Sequence, residues 1–304
     1  MTLNQLHYVI TIAECGSMNK ASEILYVAQP SLTSSIQELE RELGITIFHR
    51  SGKGVTLTND GTEFLSYAKE IYSQYEVVMD KYNGSSAIKK KFGVSTQHYS
   101  FAVKAFVGLM KSFDMKEYEF AIRETMTKDV INDVATQKSE LGILYLSDFN
   151  RAAITKILST NGLEFIKLID CNAFVYLHKS HPLANNKTIN FDQLAPYPCL
   201  SFEQGDTTSF YFAEEILSTY NYPRTIKCND RATVLNLMIG VQGYTLCSGI
   251  ICEELNGSDY IAVPFQDDSV HKNSIMEIGY IKKKNLILSS VASMYINELQ
   301  NYLK

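Results

Sequence analysis

The stretch that decides the fold runs from residue 28 to residue 50 and reads AQPSLTSSIQELERELGITIFHR. Its apolar residues recur at intervals of three or four, which predicts an α-helix with one apolar face: Leu32, Ile36, Leu39 and Leu43. Pro30 suits the first turn of this helix because a residue there needs no partner for its N–H. Gly44 favours the helix end. The stretch therefore predicts a helix with a clear start, a buried face and a clear stop.

The segments on either side extend this pattern. Upstream, apolar spacing over residues 3–13 predicts a helix, and Ser17 can cap a short second one. Downstream, two short β-prone runs at 45–48 and 55–58 flank a glycine-containing tip at 50–54, which is typical of a hairpin. Three short helices followed by a two-stranded hairpin predict a winged helix-turn-helix over residues 1–60.

The face of the third helix opposite its apolar stripe carries short hydroxyl and amide side chains: Gln29, Ser31, Thr33, Ser34 and Gln37. Such side chains suit base edges and phosphates in a major groove, which is wide enough to admit a helix. Pro30 sets the start of that helix, and Arg50 and Lys53 at the hairpin tip can reach a phosphate or a minor groove. These residues predict double-stranded DNA as a partner. The alternative is an ordinary solvated polar face.

The negative net charge of residues 1–60 limits how tightly one copy of this domain can bind DNA. The whole chain of 304 residues has a net charge of −5, which argues against non-specific coating of nucleic acid. Residues 1–60 hold four basic and six acidic residues, so one copy is expected to bind DNA weakly. Two linked copies can supply the missing affinity through effective concentration. The low charge also leaves open a second interpretation, in which the domain serves only as a docking module.

A long helix is predicted over residues 59–84, with Thr58 as its cap. Its apolar residues alternate at steps of four and three, the a/d spacing of a coiled coil: Phe64, Ala68, Ile71, Tyr75, Val78 and Tyr82. A second copy of the chain is the expected partner of this stripe, giving a dimer or tetramer. Packing on the chain's own domains is the alternative.

Beyond a polar linker at 83–91, strand-like and helical runs alternate, which predicts an α/β domain over residues 90–304. One of the predicted helices covers residues 208–219. The length of this domain favours two lobes with a cleft between them. We expect the first lobe to comprise about 90–162 and 266–304, and the second about 163–265.

The N-terminal residues resemble those of LysR-type transcriptional regulators. The resemblance rests on segments at the family's spacing: Ala21-Ser-Glu-Ile-Leu25, Gln29-Pro30-Ser31-Leu32, Ile36 with Leu39-Glu40, Leu43-Gly44, Phe48-His-Arg50, and Leu57-Thr58 through Gly61. His181-Pro-Leu-Ala184 resembles a segment common in the family's second lobe. The chain departs from many members at Ser34, where they carry an arginine able to make bidentate contacts.

This resemblance implies a winged helix-turn-helix, a long linker helix and a two-lobed, periplasmic-binding-protein-like effector domain. It also implies a regulator whose small-molecule effector shifts the balance between quaternary arrangements. That shift would change DNA bending or contact with RNA polymerase.

Four predicted loops of the α/β domain follow strands, where open sheets gather ligands. In the family they line the inducer cleft, and the candidate effector-binding residues in them are Ser95, Thr96, Gln97, His98, Thr125, Phe202, Glu203, Cys247 and Ser248. Hydroxyls and helix-start N–H groups favour an anionic group near Ser95 and Thr96, with a neutral or cationic group facing Glu203. The alternative for each residue is helix capping.

Other classes of protein are disfavoured. The chain contains neither a G-x-S-x-G elbow nor a G-x-x-x-x-G-K-[ST] loop, so an enzyme on the α/β domain is the weakest reading. Its six cysteines form no CxxC pair and its six histidines are dispersed, which predicts no metal and no cofactor. No apolar run approaches membrane-spanning length and no signal peptide is evident, so we expect a cytoplasmic protein without a membrane partner.

Overall fold

A computed structural model describes residues 1–51, 54–83, 90–113, 117–205, 210–267 and 275–303. The chain divides into two compact units, residues 1–87 and 88–304. No helix within these described ranges is both long and apolar enough to cross a membrane. Within the same ranges, no three potential metal-ligating side chains lie together.

The first unit contains four helices and a hairpin: α1 (Leu3–Cys15), α2 (Met18–Ile24), α3 (Gln29–Leu43), β1 (Phe48–Ser51), β2 (Gly54–Leu57) and α4 (Asn59–Asn83). Gly16 and Gly44 end α1 and α3 in the left-handed conformation that favours glycine. The Thr58 hydroxyl accepts a hydrogen bond from the Gly61 N–H at 2.7 Å and so caps α4. The predicted helix-turn-helix and wing strands are therefore present.

The core of this unit is the apolar face of α3 packed on α1 and α2. Leu32, Ile36 and Leu39 are fully buried, and Val9 and Ile12 of α1 join them in one cluster. Full burial of such side chains stabilises the unit by about 1.5–3 kcal/mol each. A carboxylate connects helix to wing, because Glu40 Oε1 accepts hydrogen bonds from the N–H groups of Ile47 and Phe48 at 2.7 and 3.2 Å.

The predicted stripe of α4 divides into two parts. Ala68 is fully buried and Phe64 packs partly buried against the core cluster of its own unit, so neither belongs to an exposed seam. The prediction was wrong for these two residues because α4 lies against α1, where His7 and Tyr72 stack at 4.8 Å. The other stripe residues lie exposed on α4: Ile71, Tyr75, Val78 and Tyr82.

The second unit begins with one lobe built on a five-stranded sheet of order β4-β3-β5-β12-β6. Its elements are β3 (Lys90–Thr96), α5 (Ser100–Ser112), β4 (Tyr118–Glu124), α6 (Thr127–Ala135), β5 (Leu141–Leu146), α7 (Arg151–Thr160), β6 (Leu163–Asn172), β12 (Ile275–Lys283) and α11 (Ser290–Leu303). Strands β4 and β5 run parallel to β3, whereas β12 runs antiparallel to both β5 and β6.

The second lobe repeats this arrangement. Its elements are β7 (Phe174–His178), α8 (Phe191–Leu194), β8 (Cys199–Phe202), a 3₁₀ helix (Phe210–Phe212), β9 (Thr225–Cys228), α9 (Arg231–Gly240), β10 (Thr245–Cys247), α10 (Glu253–Asn256) and β11 (Tyr260–Pro264). Strands β8 and β9 are parallel, a bridge from Cys199 to Tyr244 joins β8 to the start of β10, and β7 pairs antiparallel with β10 and β11.

The structure corrects two expectations. The first lobe does not end near 162, because β6 (Leu163–Asn172) pairs with β12 along its length; the chain crosses between β6 and β7. The predicted helix over 208–219 is also wrong for residues 210–219, which form a 3₁₀ helix and turns, with Leu217 at φ +61°. Buried contacts of Glu214 and Glu215 hold this segment, and a local helical pattern cannot foresee them.

Candidate functional site

The polar face of α3 is open at the start of the helix. Gln29, Pro30, Ser31, Ser34 and Gln37 are exposed, and Thr33 is half-buried, with its Oγ1 accepting a hydrogen bond from Gln29 Nε2 at 3.2 Å. Among the residues that the structure describes, no side chain caps α3 at Ala28. Its first turn therefore leaves backbone N–H groups at the positive end of the helix dipole.

The wing supplies an exposed cationic side chain. Arg50 is exposed on β1, at the end of the strand that leads to the hairpin tip. The other predicted wing residue, Lys53, lies outside the described residues. Polar groups on α3 together with a wing arginine suit groove contacts and phosphate contacts respectively.

A cavity lies between the two lobes of the second unit. It measures about 710 Å³ when the space at its open mouth is included. The turn after β3 lines it from the first lobe, and β7, β8, β10, α9 and the segment holding Glu214 and Glu215 line it from the second. Apolar side chains make up most of its wall, among them Val234, Ile251 and Met276. A mostly apolar wall with a few polar groups is typical of a small-molecule site.

His98 and Glu214 form a polar pair across this cavity. His98 Nδ1 lies 2.9 Å from Glu214 Oε2, and the His98 backbone N–H donates to the same oxygen at 2.9 Å. Gln204 Nε2 donates to the other oxygen at 2.9 Å, and the His98 ring stacks on Phe202. Burial alone lowers the pKa of His98, but the hydrogen bond and charge of Glu214 outweigh burial and raise it.

Glu215, the next residue, is buried in a different environment. Its Oε1 accepts a hydrogen bond from the Phe202 N–H at 2.7 Å. Burial, and then the neighbouring charge of Glu214, raise the pKa of Glu215 to about 8. The carboxyl is therefore protonated at neutral pH, while Glu214 keeps its place as the acceptor from His98.

A second polar pair crosses between the lobes beside the cavity. Arg231, the first residue of α9, contacts both carboxylate oxygens of Glu124 at the end of β4: Nη2 lies 2.8 Å from Oε1, and Nε donates to Oε2 at 3.0 Å. Both side chains are about one quarter exposed. Only the Nε–Oε2 contact is a hydrogen bond, so the pair combines one charge-assisted hydrogen bond with a second close contact between the charges.

The structure brings four of the predicted effector residues to this cavity: His98, Phe202, Cys247 and Ser248. The backbone turns that follow β3, β8 and β10 position them, as expected for loops at strand ends. Cys247 Sγ accepts a hydrogen bond from the Gly249 N–H at 3.3 Å, so the thiol also holds its own turn.

The remaining predicted effector residues lie outside the cavity lining. The Ser95 hydroxyl donates to Asp133 at 2.7 Å inside the first lobe, and the Thr96 hydroxyl donates to the Gln97 carbonyl at 2.8 Å. Both are fully buried, so the anion-binding role predicted for them is wrong.

The other three predicted residues, Gln97, Thr125 and Glu203, also lie outside the cavity lining. The Gln97 Oε1 accepts hydrogen bonds from the Tyr99 hydroxyl and the Tyr145 N–H, and its Nε2 donates to the Thr127 hydroxyl. The Thr125 hydroxyl lies within 3.4 Å of Asp129, a helix-start contact, and Glu203 is exposed. The glutamate that contacts His98 is Glu214 and not Glu203.

Sequence reasoning missed Glu214, Glu215, Arg231 and Glu124. One signal was present, since two adjacent glutamates interrupt the otherwise apolar run FYFAEEIL at 210–217. Charged residues are rarely buried unless they are paired, so such a pair next to large apolar residues points to a special environment. The Arg231–Glu124 pair, 107 positions apart, had no local signal.

Two family descriptions match the chain. Residues 3–62 match the bacterial regulatory helix-turn-helix protein, lysR family, and residues 99–303 match the LysR substrate binding domain. The chain belongs to the LysR family. It is thus a transcription regulator that joins a DNA-binding helix-turn-helix to an effector-binding domain.

Relatives of this LysR-family regulator are themselves transcription regulators. YbhD of Escherichia coli is 21% identical over 303 residues, which cover 98% of this chain and 91% of that protein. The dual regulator GltC of Bacillus subtilis is 26% identical over 309 residues, covering 96% and 94%.

Two solved structures share the fold. A full-length OxyR variant from Pseudomonas aeruginosa matches with a TM-score of 0.67 at 19% identity, covering 100% of this chain and 94% of that one. Full-length CbnR in complex with its target DNA matches with a TM-score of 0.56 at 17% identity, covering 99% and 100%. These likenesses concern the fold alone.

Proposed function

We propose that this regulator reads its operator with the exposed start of α3 and with Arg50, and senses its effector in the cavity between the lobes of residues 90–304. The observation that carries the proposal is the pair of polar contacts that join the lobes there, His98–Glu214 across the cavity and Glu124–Arg231 beside it. A ligand that enters must break or reinforce them, so its binding energy depends on the arrangement of the lobes. We place the protein in the cytoplasm, where DNA is available, and assign it no catalytic role.

The proposed division of labour follows the two units. Residues 1–60 bind DNA, residues 59–84 form the linker helix, and residues 90–304 bind the effector. The exposed stripe of α4, residues 71, 75, 78 and 82, is the proposed contact with a second copy. Two copies double the number of DNA contacts, which offsets the net negative charge of residues 1–60. Contact with RNA polymerase is the proposed route from DNA binding to transcription.

Operator reading is tested by separating base contacts from phosphate contacts. Sequences selected by the full-length protein from a random DNA library serve as operators, and fluorescence anisotropy measures affinity. Thr33→Ala is expected to relax preference at one base pair by about 1–3 kcal/mol. Arg50→Ala is expected to weaken all sequences alike and to lower the salt slope by about one. Thr62→Ala, on the exposed start of α4, is the control.

Equal losses on operator and random DNA for Thr33→Ala would contradict base reading by α3. An unchanged salt slope for Arg50→Ala would contradict the phosphate contact. Each result is interpretable only while Thr62→Ala binds like the wild type.

The dimer contact is tested by a charge on the exposed stripe. Ile71→Glu is expected to give monomers in sedimentation velocity, because the new carboxylate would be buried without a partner. Thr62→Glu adds the same charge to the same helix away from the stripe and should leave the assembly unchanged. A wild-type sedimentation coefficient for Ile71→Glu would show that α4 is not the contact.

A further inference from the structure

Two polar pairs join the lobes at the cavity, and their charges run in opposite directions. His98, Glu214 and Arg231 line the cavity, and Glu124 lies beside it in contact with Arg231. The first lobe supplies His98 and Glu124, and the second lobe supplies Glu214 and Arg231. Each lobe therefore presents one cationic and one anionic group toward the other. The Nδ1–Oε2 distance of 2.9 Å and the Nη2–Oε1 distance of 2.8 Å show that both pairs are in direct contact.

These four groups act as one electrostatic set. The negative charge of Glu124 raises the pKa of His98 and the positive charge of Arg231 lowers it, so the second pair acts on the first. With His98 protonated, the set holds two positive and two negative charges. Four further titratable groups line the cavity: Glu215, Tyr99, Tyr176 and Cys247. Burial raises the pKa of each, so they are protonated at neutral pH and add no charge.

A balanced set of this kind discriminates among ligands by net charge. A ligand with one net charge can bind one member only by displacing that member's partner, which leaves a partly buried group without a counter-charge. A ligand carrying both charges can exchange partners instead. Its anionic group takes Arg231 while its cationic group takes Glu124 or Glu214, and neutrality is kept.

The short distance between the charged groups further limits which class of ligand can bind. Arg231 and Glu124 touch each other, so a ligand that inserts between them needs its own opposite charges on neighbouring atoms. The ammonium and carboxylate of an α-amino acid have this arrangement. The rest of the wall is apolar, with Val234, Leu235, Ile250 and Ile251 facing the same space, and an apolar side chain would remove this surface from water.

We propose that the effector is a zwitterion of the α-amino acid class with an apolar side chain, seated between Arg231 and Glu124. The proposal rests on the proposed function, because it takes this cavity as the effector site. The sequence predicted an anion-binding site near Ser95; the proposed site instead uses groups of both lobes.

The test compares each amino acid with its singly charged counterparts. Full-length protein is titrated calorimetrically with L-leucine, L-valine, L-methionine and L-phenylalanine. The deaminated acid and the decarboxylated amine of each, such as 4-methylpentanoate and 3-methylbutylamine for leucine, are titrated in parallel. At least one amino acid should bind, with both of its counterparts at least tenfold weaker. A counterpart that binds as tightly as its parent, or binding by none of the four amino acids, would overturn the proposal.

Variants locate the site. Arg231→Gln and Glu124→Gln should each weaken amino-acid binding at least tenfold, because one charge of the ligand loses its partner. Glu254→Gln is the matched control: it breaks the contact of the exposed Glu254 with the half-buried Lys104, which also joins the two lobes but lies outside the cavity lining. Wild-type amino-acid affinity in Arg231→Gln would overturn the assignment.

Operator affinity of the same proteins, measured without amino acid, separates the two proposals. If the wild-type protein does not bind the operator, the proposed function is contradicted, but the calorimetric evidence for the amino-acid site still stands. Operator binding without any discrimination between amino acids and their counterparts would defeat only the ligand assignment.

Discussion

Replacing the buried Glu215 by glutamine is expected to remove a pH dependence from the stability of the effector unit. The pKa of Glu215 is raised from 4.5 to about 8, first by burial and then by the charge of Glu214. A carboxyl whose pKa is higher in the folded state holds its proton more tightly there. The wild type therefore loses stability as the pH rises from about 4.5 to about 8, whereas Glu215→Gln has no proton to lose.

The magnitude follows from the width of this interval. One titrating proton changes the free energy of unfolding by about 1.4 kcal/mol per pH unit while the two states differ in protonation. From about pH 5 to pH 7 the wild type should therefore lose about 3 kcal/mol relative to Glu215→Gln. Glutamine keeps an oxygen for the Phe202 N–H, so the hydrogen bond at 2.7 Å can persist.

Urea unfolding followed by circular dichroism, at several values between pH 5 and pH 8, measures this difference. Glu117→Gln removes an exposed carboxylate from the same unit and is the matched control. Its stability should track that of the wild type at every pH. A constant difference between wild type and Glu215→Gln across this range would refute the reasoning, because Glu215 would then be ionised in both states.

Two further predictions concern single hydrogen-bonding side chains. Glu40→Ala should destabilise the helix-turn-helix unit by about 1–3 kcal/mol in urea unfolding, since the N–H groups of Ile47 and Phe48 lose their acceptor; the exposed Glu38→Ala is the control, and equal costs for both would contradict the contact. Thr96→Val should leave effector affinity unchanged, because its hydroxyl donates to the Gln97 carbonyl. A loss of affinity in calorimetry for Thr96→Val would return that residue to the effector site.

The DNA-binding unit could be predicted almost entirely from its sequence. The stripe of Leu32, Ile36 and Leu39, the stops at Gly16 and Gly44 and the cap at Thr58 are local patterns, and each produced the expected element. Local patterns suffice there because neighbouring elements in the chain pack directly on one another. The misassigned Ala68 shows the limit, since a heptad stripe does not reveal whether its first turns face the same chain or another copy.

The effector cavity was decided by the tertiary structure. The predicted strand ends placed four residues near the cavity: His98 and Ser248 follow strands, whereas Phe202 and Cys247 are the last residues of β8 and β10 and not loop residues. A hydroxyl after a strand, however, looks the same in sequence whether it faces a ligand or its own lobe.

The charged pairs join positions far apart in the chain, 98 with 214 and 124 with 231. Their proximity depends on how the two lobes pack together, and no short-range pattern encodes that. Sequence alone thus determined which face of the third helix is buried and which is polar, because helical periodicity is a local property. Only the folded lobes determined which charges meet, because burial and Coulomb contact depend on distances that the chain sets only after folding.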